Sequence, residues 1–165
     1  MTSFVDVRHD VWIDAPRELV RDQFADLDHH METGVHPTLA FRRLADDARG
    51  HVRYEQVVRL LGIRQRDVFE RRHLRDGTMV DTSVEGFNRG GTLTFSFERE
   101  LRDGRMGTLV MIDIRLPLPA VVGPMVRGLV AAQVRREVQR AAQQDKVDLE
   151  SGRYAGPVRS RLRAA

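Results

Sequence analysis

Cysteine is absent from the 165-residue chain. That excludes a disulfide, a Cys-ligated zinc, an iron–sulfur cluster and a thiol nucleophile. Lysine is nearly absent as well: of 27 basic residues only Lys146 is a lysine. Aromatic residues make up 6% and are scattered, so no stacking platform for nucleic-acid bases stands out. No stretch approaches the roughly 20 apolar residues that cross a bilayer, and the opening Met1-Thr2-Ser3-Phe4-Val5-Asp6 lacks the basic-then-apolar layout of a secretory leader. A cytoplasmic protein without membrane insertion is expected. None of the five serines lies in G-x-S-x-G, and neither G-x-x-x-x-G-K-S/T nor G-x-G-x-x-G is present.

What is there describes a globular domain: 41% hydrophobic and 31% charged residues. The net charge of +3 is misleading, because residues 151–165 hold Arg153, Arg159, Arg161 and Arg163 with no acid. Taking that +4 away leaves −1 for residues 1–150. A nucleic-acid partner, which needs a concentrated basic stripe, is therefore not expected. The spacing predicts one domain over 1–152 and a basic, flexible tail over 153–165.

Val5, Val7, His9, Val11 and Ile13 alternate with Asp6, Arg8 and Asp10, the pattern of a half-buried strand over 4–13. Asp14 is placed to cap a helix opened by Pro16, which runs to about Leu27; Gly34 and Pro37 end any second short helix. Candidate strands follow at 39–45, 51–61, 63–73, 78–87, 91–101 and 106–116. The short breaks between them, Asp76-Gly77 and Asp103-Gly104 the clearest, read as antiparallel hairpins. Leu116-Pro117-Leu118-Pro119 is expected to stop the last strand. A long helix over about 121–150 carries Val126, Val130, Val134, Val138 and Ala141 as one stripe. The fold class is α+β: a curved seven-stranded antiparallel sheet wrapped around a long C-terminal helix.

This order, together with the opening Val11-Trp12-Ile13-Asp14-Ala15-Pro16-Arg17-Glu18-Leu19-Val20, resembles the helix-grip superfamily, also called START-like or SRPBCC, over about residues 4–150. The resemblance implies a cavity between sheet and helix that encloses a hydrophobic or aromatic small molecule. Tyr54, Glu55 and Arg59 on the second meander strand, with Val134 and Val138 on the helix, are candidates to line it. Arg64, Arg66, Arg71 and Arg72 are expected on the solvated convex face, and His9, His51 and His73 are expected to be structural or surface residues.

Three of the six histidines, His29, His30 and His36, fall within eight residues, beside Asp26, Asp28 and Glu32. Neutral imidazole ligates first-row metals and a carboxylate completes such a site; the plain alternative is a solvated polar loop. Asp26-Leu27-Asp28-His29, followed after six residues by His36, resembles the D-x-x-H-x-x-x-x-H stretch in the catalytic domains of Rieske non-haem iron oxygenases, which share this superfamily. Gln144-Asp145-Lys146-Val147-Asp148-Leu149-Glu150 resembles their E-D-K-x-x-L-E segment, whose Asp is an iron ligand. Asp145 also continues the buried helix stripe, four residues beyond Ala141. The resemblance implies a 2-His-1-carboxylate set drawn from His29 or His30, His36 and Asp145, with iron(II) ahead of zinc(II). Three features depart from the family. The histidine spacing is two residues too long, Gln144 replaces Glu, and the Rieske cluster domain is absent because that cluster needs cysteine. Glu32 is an alternative carboxylate if its segment is helical.

Three functions fit these residues. The first is a metal-dependent, oxygenase-like enzyme acting on an apolar molecule. The others are a non-catalytic carrier of a hydrophobic ligand and a metal-free polyketide cyclase/aromatase using the same groups as acid and base. A homodimer is compatible with all three. No individual catalytic residue is assigned.

Overall fold

The computed structural model describes residues 2–119 and 124–157. Strand β1 (Thr2–Ile13) leads into two short helices, α1 (Arg17–Ala25) and α2 (Leu27–Thr33). A meander follows: β2 (Leu39–Arg43), β3 (Val52–Leu60), β4 (Ile63–His73), β5 (Met79–Gly86), β6 (Thr92–Arg102) and β7 (Arg105–Pro119). The chain then forms the long helix α3 (Pro124–Glu150). The seven strands make one antiparallel sheet in the order β1-β7-β6-β5-β4-β3-β2, so the first strand closes on the last. The expected α+β architecture is the observed one.

Period-two patterning builds the concave face. On β7, Val110, Ile112, Ile114 and Leu116 are buried while Asp113 and Arg115 between them are exposed. On β1, Val5, Val7 and Ile13 face the same core. Helix α3 lies over this face with Val134, Val138, Ala142 and Leu149 buried. Its stripe starts later than the sequence suggests, since Val126 is exposed. The first part of the expected helix, 121–123, lies outside the described residues.

Two local expectations change. Asp14 does not cap α1, where no side chain performs that role; its backbone N–H donates to Glu150 and its carboxylate pairs with Arg105, tying β1 to α3 and β7. Strand β7 also does not stop at Leu116. It pairs with β1 through Pro117 and Pro119, whereas its pairing with β6 ends at Arg115 opposite Thr92. Proline is tolerated there because β7 has a neighbour on one side only, so a missing N–H need not break a ladder bond. Among the described residues no helix is long and apolar enough to cross a membrane.

The segment expected to be a loose tail begins differently. Tyr154 is 2% exposed, its ring 4.8 Å from that of His29, and its hydroxyl is 3.3 Å from Asp26 Oδ2. Residues 158–165 of that tail lie outside the described residues.

Candidate metal centre

Helix α2 is short because its ends are fixed. The Asp26 carboxylate accepts the His29 backbone N–H at the N-terminus (3.0 Å). At the other end Gly34, with φ of 61°, turns the chain left-handed and donates to the His30 carbonyl. Consecutive helical residues point about 100° apart, so His29 and His30 leave the helix in different directions. On α3, Asp145 and Asp148 share a face at i and i+3. That face meets α2, and each histidine takes a different aspartate.

His30 Nε2 lies 3.2 Å from Asp145 Oδ1, and His36 Nε2 lies 3.3 Å from the same oxygen. All three residues are buried, and their ligand atoms lie within 4.8 Å of one another. His29 instead places Nε2 2.8 Å from Asp148 Oδ2, both side chains being 1% exposed. Of the two histidines the sequence leaves open, the structure thus brings His30, not His29, to His36 and Asp145. Glu32, the alternative carboxylate, is exposed.

The outer hydrogen bonds decide what the inner atoms offer. His30 Nδ1 is 2.7 Å from the backbone carbonyl of Asp26. A carbonyl only accepts, so Nδ1 carries the proton and a neutral His30 turns its Nε2 lone pair toward Asp145. His36 Nδ1 likewise meets Gln144 Oε1 at 3.0 Å. Gln23, 0% exposed, donates through Nε2 to Asp145 Oδ1 (2.9 Å) and Asp148 Oδ2 (3.2 Å), locking both carboxylates. With both imidazoles neutral, two lone pairs and a carboxylate oxygen face one another, an arrangement that a cation would satisfy.

Two cations satisfy that demand. One is a proton on an imidazole. Burial pulls the His36 pKa down, but the hydrogen bond and charge of Asp145, with the Gln144 contact, outweigh it and raise it above the usual histidine value. Burial likewise works upward on Asp145, yet the hydrogen bonds from His30 and His36 bring it well below the usual carboxylate range. The other is a metal ion. Bonds of about 2.0–2.1 Å put adjacent ligand atoms about 2.9 Å apart at right angles and about 3.4 Å apart in a tetrahedron; the two His–Asp145 distances, 3.2 and 3.3 Å, fall between.

From this cluster a cavity of about 150 Å³ runs between α3 and the sheet. Tyr54, Val134 and Val138 line it as expected, with Phe24, Phe41 and Ile112. Glu55 and Arg59 do not. Tyr54 points inward, so period-two alternation turns Glu55 outward, where it pairs with Arg42 and Arg66, and leaves Arg59 exposed. Arg71 is the reverse case. Arg64, Arg66 and Arg72 are exposed as expected, but Arg71 is 5% exposed and forks onto Asp81 with two bonds of 2.7 Å. It also donates to the Phe24 and Ala25 carbonyls (3.1 and 3.4 Å) that end α1, and Tyr54 donates to Asp81 at 2.6 Å.

A second group, Asp47, His51 and Glu70, also brings ligand atoms together. Here Asp47 already accepts the backbone N–H groups of Arg49 and His51 at 2.8 Å, which makes it a latch for the loop before β3. His9 is partly buried in β1, and His73 is exposed. Sequence reasoning missed Gln23, Arg71, Asp81 and Tyr154. Burial of Arg71 had one available signal, the alternation that places it on the face of Phe69.

No protein-family description matches the chain, and no curated protein does. Solved structures do. A Thermus thermophilus protein, TTHA0849, aligns at a TM-score of 0.74 with 19% identity, covering 89% of this chain and 98% of that one. The Zhui aromatase/cyclase of Streptomyces sp. R1128 aligns at 0.70 with 18% identity, over 94% and 100%. A START superfamily protein of Mycobacterium smegmatis aligns at 0.68 with 18% identity, over 87% and 98%. These likenesses carry the fold. The local resemblance to Rieske oxygenases rests on residues 26–36 and 144–150 alone.

Proposed function

With the helix-grip fold as its frame, we propose that the protein encloses a small apolar molecule and presents one end of it to a divalent metal held by His30, His36 and Asp145. The observation that carries this reading is the 2.7 Å contact of His30 Nδ1 with the Asp26 carbonyl, which in a neutral ring places the proton on Nδ1 and leaves the Nε2 lone pair facing the Asp145 carboxylate. A 2-His-1-carboxylate set with open positions suits iron(II) first and zinc(II) second. Such an ion would supply Lewis acidity and an open coordination position at that end of the cavity.

The chain's own residues do the rest. Asp26 and Gln144 hold the two imidazole rings in orientation, and Gln23 fixes the carboxylate through its amide. The apolar walls keep water from the ligand and strengthen each electrostatic contact inside. The hydrogen bonds from His30 and His36 favour the ionised form of Asp145 against the opposing effect of burial.

A second reading is a metal-free cyclase/aromatase, and the raised His36 pKa favours it: an imidazolium beside a carboxylate is an acid–base pair. Elemental analysis of untagged protein purified without chelator separates the two. About one equivalent of iron or zinc, lost in both His30→Ala and Asp145→Ala, supports the metal reading. Metal-free protein that takes up neither ion at micromolar concentration rules it out and leaves the acid–base pair.

A further inference from the structure

The turn that follows α3 reaches back to the start of α2. Resting on the reading of His30 as a metal ligand, we infer that Tyr154 is a positioning residue for that ligand: its hydroxyl holds Asp26, and Asp26 holds the His30 ring.

The turn is set by the end of the long helix. Gly152 takes the left-handed conformation, with φ of 72°, which side chains disfavour. The backbone N–H groups of Arg153 and Tyr154 then fold back onto the Asp148 carbonyl, at 3.2 and 3.4 Å. This reversal lays Tyr154 against α2, where it is buried. Its ring meets that of His29 edge-on, at 4.8 Å and 72°. His29 is the histidine left out of the ligand set, and its 2.8 Å contact with Asp148 makes it a strut between α2 and α3. Tyr154 covers that strut.

Asp26 is the joint, and each of its three oxygens has its own task. Oδ1 accepts the His29 backbone N–H (3.0 Å), which fixes where α2 begins. Oδ2 accepts the Tyr154 hydroxyl (3.3 Å). The carbonyl accepts the backbone N–H of His30 (3.2 Å) and the proton on its Nδ1 (2.7 Å). Carboxylate and carbonyl belong to one residue. Pinning the carboxylate at both oxygens restricts the backbone rotations of Asp26, so the carbonyl that aims His30 Nε2 at Asp145 keeps its direction.

Two measurements on the full chain test this. The first needs no metal: NMR of nitrogen-15-labelled, metal-free protein reads how fast the His30 Nδ1 proton exchanges with water. That proton is present in both charge states of the ring, because the carbonyl only accepts. The second is zinc affinity by calorimetry. Tyr154→Phe keeps the ring and removes the hydroxyl; it is expected to speed exchange and to weaken zinc by about threefold each, the scale of one hydrogen bond. Tyr154→Ala, which also uncovers His29, is expected to change both by about tenfold. Val110→Ala, a core truncation outside these contacts, controls for lost stability and is expected to change neither. The inference is overturned if exchange in Tyr154→Phe matches the unaltered protein, or if Val110→Ala speeds it as much. Zinc held equally well by the unaltered protein and both Tyr154 variants overturns it too. Failure of the metal reading shows separately: the unaltered protein then takes up no zinc, and the exchange rates alone judge the link from Tyr154 to His30.

Discussion

Two clusters of buried charge touch the same cavity, and they are built on opposite principles. At Arg71, Asp81 and Tyr54, donors meet acceptors: the guanidinium forks onto the carboxylate, a phenol supplies a third bond, and the two carbonyls ending α1 take further N–H groups. At His30, His36 and Asp145, outer hydrogen bonds aim acceptors at a carboxylate. The first cluster is closed and needs nothing. The second, with neutral imidazoles, leaves a position that a cation would fill. A buried charge cluster alone therefore does not mark a site; the mismatch of donors and acceptors does.

The largest effect separating the two is on stability. Arg71→Ala strands Asp81 in the core and is expected to cost about 3–5 kcal/mol, measured by urea unfolding. A loss below about 1 kcal/mol would show that the pair is not the closed structural unit described.

Asp145→Ala is expected to cost less, about 1–2 kcal/mol in metal-free protein, because His30 and His36 can shed a proton and strand no charge, as a guanidinium cannot. Its mark is on bound metal, which falls at least tenfold. Equal destabilisation by the two substitutions would erase the contrast.

A shallower effect follows from pH. The folded His36 pKa is raised, so its contribution in metal-free protein is fully present below about 6.5 and is lost as pH rises through the raised value. His9, partly buried and lowered chiefly by that burial, acts in the opposite sense and below about 6.5. Metal binding competes with the same proton, so metal-loaded protein gains stability over the window in which metal-free protein loses it. Thermal melts from pH 6 to 8, with and without zinc, read the two slopes; slopes of the same sign contradict the competition.

Glu55→Gln is the smallest. It lies on the outer face with Arg42 and Arg66, and exposed ion pairs contribute little. Metal content is not expected to change.

How far the sequence carries this picture differs by region. Strand positions followed from turn residues and alternation, and β2 to β6 fall within a residue or two of expectation because short hairpins leave little freedom of register. The strand through Pro117 was hidden, since proline forbids a ladder bond only where a partner exists. Residues His36 and Asp145 were legible from the histidine cluster and the continued valine stripe. The choice between His29 and His30 was not, because it depends on where α2 begins, and Asp26 sets that through its cap. Gln23 carries no sequence signal of its own; its role arises only where α1 meets α3. Glu55 and Arg71 were readable through alternation from Tyr54 and Phe69, and charge alone misdirected both.

The central claim is that two imidazoles and one carboxylate share one ion. X-ray absorption fine structure of the protein loaded with one equivalent of zinc or iron(II) tests it most directly. The account predicts two imidazole ligands at about 2.0–2.1 Å for zinc, reduced to one in His36→Ala. A first shell of oxygen alone, or an imidazole count unchanged in that variant, would contradict it.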